Sequence, residues 1–69
     1  MDPVTIGSRI AALRKKKDMT QQELAAMLSV SYKAVSKWER GGGLPDLATV
    51  PKLALSLGVS IDELLSEGF

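Results

Sequence analysis

TQQELAAMLSVSYKAVSKWERG, residues 20–41, is the stretch that decides the fold. Thr20-Gln21-Gln22-Glu23 has the T-x-x-E spacing of a capping box and stands just before Leu24, Ala25 and Leu28. That combination predicts a helix from Thr20 to near Leu28. Ser29 and Val30 are left as a short turn. Ser31 is the next N-cap, and the helix after it is expected to reach Glu39 or Arg40, with Val35 and Trp38 (i, i+3) turned inward.

Two short helices joined by so tight a turn make a helix-turn-helix over about residues 20–39. Ala25 is expected to be small because the third helix crosses the second there. The abrupt end of the second helix calls for one residue with positive φ, and by spacing that residue is Ser29. The outer face of the third helix, about residues 31–39, presents Tyr32, Lys33, Ser36 and Lys37 and no aliphatic residue. Such a face can enter the major groove of B-DNA, which admits one helix. Lysine can donate to guanine O6 and N7, serine can donate or accept, and tyrosine offers both ring and hydroxyl.

Working outward, Ile6, Ile10 and Leu13 follow i, i+4, i+7 and predict a first helix over Thr5–Lys16, with Arg9, Lys15 and Lys16 outside the apolar stripe. Asp18 is suited to the left-handed C-cap that would follow. On the other side, the glycines 41–43 stop the third helix and open a loop through Leu44 and Pro45. Asp46 or Thr49 caps a fourth helix, and because Pro51 belongs in a first turn, residues 46–49 are expected to form an irregular or 3₁₀ turn with Thr49 as the cap. That helix reaches Leu57, and Gly58 is its C-cap. Ser60-Ile61-Asp62-Glu63 is a second capping box, opening a fifth helix that ends near Leu65. No stretch alternates long enough to make a strand, so the expected class is all-α.

Sixty-nine residues suit one domain, 1–69. The chain has no cysteine and no histidine. Disulfides, the usual zinc sites, thiol nucleophiles and imidazole acid–base chemistry are therefore unavailable, and no glycine-rich phosphate loop is present. The expectation is no enzyme, no cofactor and no metal. Net charge is only +1, but its distribution is uneven. Residues 1–40 carry eight basic against four acidic side chains, +4, and residues 41–69 one against four, −3. The N-terminal half can face a polyanion. No apolar run approaches the ~20 residues of a membrane span, and a cytoplasmic protein is expected.

The stretch TQQELAAMLSVSYKAVSKWERG resembles the helix-turn-helix of the phage-repressor-like (Cro/repressor, xenobiotic-response-element type) transcriptional regulators. LPDLATVPKLALSLGVSIDELL is similar to helices 4 and 5 of that family, and IGSRIAALRKKKDMT to its first helix. The resemblance implies a compact, five-helix, lambda-repressor-like DNA-binding domain. It implies a bacterial or phage-encoded, nucleoid-associated regulator, usually a repressor, bound as a homodimer to a palindromic double-stranded operator. Tyr32, Lys33 and Lys37 match positions that read bases, with Ser36 between them. Thr20, Gln21 and Ser31 match positions that touch phosphates, Gln21 at a helix N-terminus that favours an anion. Arg40 and the backbone N–H groups near Gly42 and Gly43 can hold a phosphate on the far side. Arg14 and Glu39 match an ion pair tying helix 1 to the end of helix 3. Ser29 and Asp18 stand where the family often has glycine.

Trp38 is expected in the core rather than as a stacking platform. Leu64, Leu65 and Phe69 either finish the core or form the dimer seam. Three function classes stand at this point: the DNA-binding regulator, a DNA-binding antitoxin whose partner is a toxin, and a helical interaction module without DNA. The sequence fits either a stand-alone regulator or an excised DNA-binding domain.

Overall fold

The computed structural model describes residues 2–66. Within them the order is α1 Pro3–Lys16, α2 Gln21–Leu28, α3 Tyr32–Glu39, α4 Val50–Leu57 and α5 Ile61–Leu65, with no strand. The all-α, five-helix expectation holds. Helix α1 begins two residues earlier than its apolar stripe indicates. Asp2 is the N-cap, its Oδ1 accepting from the Val4 N–H at 3.1 Å, and Pro3 occupies the first helical position. Thr5 donates its hydroxyl to Asp2 Oδ2 at 2.6 Å. That bond first, and the Val4 N–H second, hold the exposed Asp2 carboxyl below its ordinary pKa.

Both capping boxes form. Thr20 and Glu23 exchange side-chain and backbone bonds at the start of α2, and Ser60 and Glu63 do so at α5. The start of α4 is different. Thr49 is helical in φ and ψ and makes no side-chain cap. Its hydroxyl bonds the Asp46 carboxylate instead, and the Asp46 carbonyl receives the N–H groups of Thr49 and Val50.

Four helices end in one way. A residue with positive φ follows the last turn, and the next N–H returns to a carbonyl five residues back. The turn residues are Asp18 (φ 56°), Ser29 (58°), Gly41 (76°) and Gly58 (73°). The returning bonds are Met19 to Arg14, Val30 to Ala25, Gly42 to Lys37 and Val59 to Ala54, 2.9–3.1 Å. Each ending turns the chain back within two residues, which lets helices of eight residues pack on one another.

The core gathers Ile6 and Ile10 of α1, Leu24 and Leu28 of α2, Val35 and Trp38 of α3, Leu53 and Leu57 of α4 and Leu64 of α5. Trp38 is thus a core residue, as its spacing requires. Helix α1 lies against both α3 and α5, so its buried face is wider than one stripe. Gly7, Arg9 and Arg14 are buried along with the two isoleucines. Arg9, expected outside the stripe, is only 7% exposed. Its guanidinium donates to the carbonyls of Glu63 (3.4 Å), Leu64 (2.8 Å) and Ser66 (2.5 Å), closing the C-terminal end of α5. A buried arginine is tolerated where acceptors satisfy it. Leu64 is 0% exposed and Leu65 packs against the core. This corrects the assignment of Leu64 to a dimer seam, because a side chain closed off by its own fold has no surface to offer, whereas Leu65 is half-buried and keeps part of its surface. Phe69 lies outside the described residues.

Candidate nucleic-acid interface

Helix α3 is divided into two faces. Val35 and Trp38 hold one against the core, while Tyr32 (48% exposed), Lys33 and Lys37 stand in solvent and Ser36 is half-buried. The steps 32→36 and 33→37 place these four on adjoining ridges of one surface. Ser31 starts the helix, its Oγ accepting from the Ala34 N–H at 3.3 Å.

Helix α2 brings its N-terminus beside the C-terminal end of α3. Gln21 Nε2 donates to Glu39 Oε1 at 3.0 Å. Arg14 holds the same carboxylate in a two-point grip, Nε to Oε2 at 2.7 Å and a terminal nitrogen to Oε1 at 2.9 Å. Its other terminal nitrogen donates to the Met19 carbonyl at 2.7 Å. The two side chains are 11% and 7% exposed. Burial pushes the Glu39 carboxyl upward. The bonds from Arg14 and Gln21 and the guanidinium charge outweigh that and keep its pKa below the ordinary value of 4.5. The Arg14 guanidinium is shifted up by its bond to Glu39, against the opposing effect of burial. One carboxylate therefore joins α1, α2 and α3 at the edge of the exposed face.

This arrangement leaves particular donors available. The hydroxyls of Thr20 and Ser31 accept cap bonds through oxygen, so each keeps an O–H to donate. The first N–H groups of α2 have no intrahelical acceptor, and the helix dipole adds positive potential there. Gln21 retains its second amide hydrogen.

A family model described as helix-turn-helix matches residues 10–64. The chain belongs to the helix-turn-helix family. It is 43% identical over 58 residues to the transcriptional activator BcrR of Enterococcus faecalis, covering 84% of this chain and 28% of that protein. It is 39% identical over 59 residues to the CTXphi transcriptional repressor RstR of Vibrio cholerae, covering 86% and 53%. The chain therefore spans a fraction of both relatives. Among solved structures, the P22 c2 repressor in complex with a synthetic operator superimposes with a TM-score of 0.85. The identity is 39%, over 88% of this chain and 92% of that one.

Of the expected phosphate contacts, Gly42 needs reassignment and Arg40 is narrowed. The Gly42 N–H is spent inside the protein on the Lys37 carbonyl at 2.9 Å, so it is not a phosphate donor. Arg40 turns Nε back to the Ser36 carbonyl at 3.2 Å, leaving only the remaining guanidinium hydrogens for an outside partner. The residue that sequence reading missed is Gly7. A Cβ built there would lie 1.9 Å from the Trp38 carbonyl oxygen and 3.3 Å from Glu39 Cα. Helix α1 thus touches the backbone of α3 on the side opposite its exposed face. A lone glycine within a helical pattern is the signal that could have found it. Among the described residues no helix is long and apolar enough to cross a membrane, and no acidic, histidine or cysteine cluster could hold a metal ion.

Proposed function

We propose that this chain is a sequence-specific double-stranded DNA-binding regulator that inserts α3 into the major groove. The observation that carries this reading is the exposed face of α3 in a domain so similar to the P22 c2 repressor, which was solved with operator. Tyr32, Lys33, Ser36 and Lys37 approach the bases. Thr20, Gln21, Ser31 and the remaining hydrogens of Arg40 meet phosphates, and so does the backbone at Gly43. No step calls for a cofactor or a catalytic residue.

One short recognition helix reads few base pairs, so the functional unit is a homodimer on an inverted repeat. With Leu64 buried, the apolar side chains of α4 and α5 left for a seam are Leu55 (83% exposed), Ile61 (42% exposed) and the half-buried Leu65. Repression is the favoured mode, since occupying a promoter suffices for it and no second contact surface is required. The protein acts in the bacterial cytoplasm, on chromosomal or phage DNA.

Selection of binding sites from random duplex DNA, followed by sequencing, tests the reading. An inverted repeat with half-sites one helical turn apart, about 34 Å, is expected. Recovery of unrelated sequences whose binding vanishes at moderate salt would show backbone attraction alone and overturn it.

A further inference from the structure

Three glycines follow α3, and only the first is required by the backbone. Gly41 has φ +76°, a conformation that side chains crowd. Gly42 and Gly43 are not among the residues with positive φ, so their backbone could carry a Cβ. What a Cβ would meet there is Lys37. At Gly42 it would lie 3.1 Å from Lys37 Cγ and 3.3 Å from the Lys37 carbonyl oxygen. At Gly43 it would lie 3.3 Å from Cε and 3.8 Å from Nζ. The lysine stem therefore runs along two residues of bare backbone, from Cγ to the ammonium.

An exposed lysine otherwise samples many rotamers, and ordering it opposes binding. A stem laid in a trough has fewer alternatives, and its charge leaves the surface from a fixed place. We infer that Gly42 and Gly43 are specificity-determining positions: their missing side chains seat Lys37 and set the direction from which its ammonium approaches the DNA. The inference rests on the reading of Lys37 as a base-contacting residue. It replaces an anion grip at Gly42, whose N–H is occupied, with a steric role.

Gly43→Ala is the informative variant. The atom it displaces is near the free end of a flexible chain, whereas a methyl at Gly42 also presses on a carbonyl oxygen. Alanine also reduces the freedom of the unfolded chain, so the variant is expected to melt close to the parent. Site selection and competition binding are then run on Gly43→Ala, Lys37→Ala and the double variant. Gly43→Ala adds no hydrogen-bonding group, yet it should change preference on the order of fivefold at the base position that Lys37→Ala relaxes. In the double variant it should change nothing beyond Lys37→Ala alone. A Gly43→Ala protein that weakens every sequence equally would overturn the seat, as would equal effects of Gly43→Ala with and without Lys37. If Lys37→Ala itself left preference unchanged, the base-reading role would fail, and the seat with it.

Discussion

The two faces of α3 differ in how their residues are held. On the inner side each group is fixed by several others. Val35 and Trp38 are buried, the Trp38 carbonyl lies against Gly7, and Glu39 is gripped by Arg14 and Gln21. On the outer side Tyr32, Lys33 and Lys37 stand in solvent, and the Lys37 stem runs beside the loop that follows. The contrast separates two kinds of consequence. A change on the inner side moves the helix and is read as lost stability. A change on the outer side leaves the helix in place and is read in the choice of DNA.

Gly7→Ala is the hardest test of the inner side. A methyl 1.9 Å from a backbone oxygen forces α1 and α3 apart. The expected loss is more than about 3 kcal/mol. In a domain of this size that lowers Tm by about 12 °C or more, at about 4–8 °C per kcal/mol. Thermal unfolding followed by circular dichroism checks it, and a variant melting with the parent would mean that the crossing is looser than described.

Glu39→Gln comes next. It keeps the shape but leaves Arg14 shielded and without its counter-charge, at a cost of about 2–3 kcal/mol, somewhat below complete loss of a buried pair. The same residue gives the pH dependence a sign. Its folded pKa lies below 4.5, so its contribution is present above the unfolded value and disappears as pH falls through the folded one. Melting curves taken from neutral pH down through this acid range should show the parent losing stability more steeply than Glu39→Gln. Parallel curves would refute the pair's contribution.

On the outer side, Lys33→Ala should leave Tm near the parent and cost about 1–3 kcal/mol on the preferred site, relaxing one or two base positions. Gln21→Ala should instead weaken all sequences by a similar factor. Competition binding with sites altered one base pair at a time distinguishes them. Relaxed preference in Gln21→Ala and not in Lys33→Ala would reverse the docking geometry.

The smallest effect belongs to the turn that joins α2 to α3. Ser29 holds φ 58°, where its β-carbon is crowded. Relief of that crowding exceeds the extra freedom that glycine gives the unfolded chain. Ser29→Gly should therefore stabilise by roughly 0.5–1 kcal/mol without altering base preference. A glycine variant that melts lower than the parent would show that the serine makes a compensating bond.

What the sequence disclosed, and what it hid, follows the range of each interaction. Capping boxes at Thr20 and Ser60, the cap at Ser31 and the left-handed residues Asp18 and Ser29 all depend on neighbours within five positions, and all were legible. The early start of α1 was also local, written in Asp2 and Pro3, but the apolar stripe drew attention further along. Arg9 was not legible, and Gly7 was marked only by being a lone glycine in a helical pattern. Their partners lie across the fold, at Glu63–Ser66 and at Trp38. The site divides in the same manner. Helical spacing alone exposes Tyr32, Lys33 and Lys37, whereas the Gly42 bond and the Gln21–Glu39 contact required the folded chain.

The clasp from Arg9 to the end of α5 has a consequence for the order of folding. Five residues are far fewer than the ~12–15 that an isolated helix needs in water. Its first turn is closed by Ser60 and Glu63, close in sequence, but its last carbonyls wait for a guanidinium more than fifty positions earlier. During synthesis that arginine leaves the ribosome well before its acceptors, which lie more than fifty positions later in the chain. Helix α5 therefore gains the partner for its last carbonyls only by packing against α1. In the finished protein its amide hydrogens are expected to exchange through a local opening that leaves the rest of the core closed.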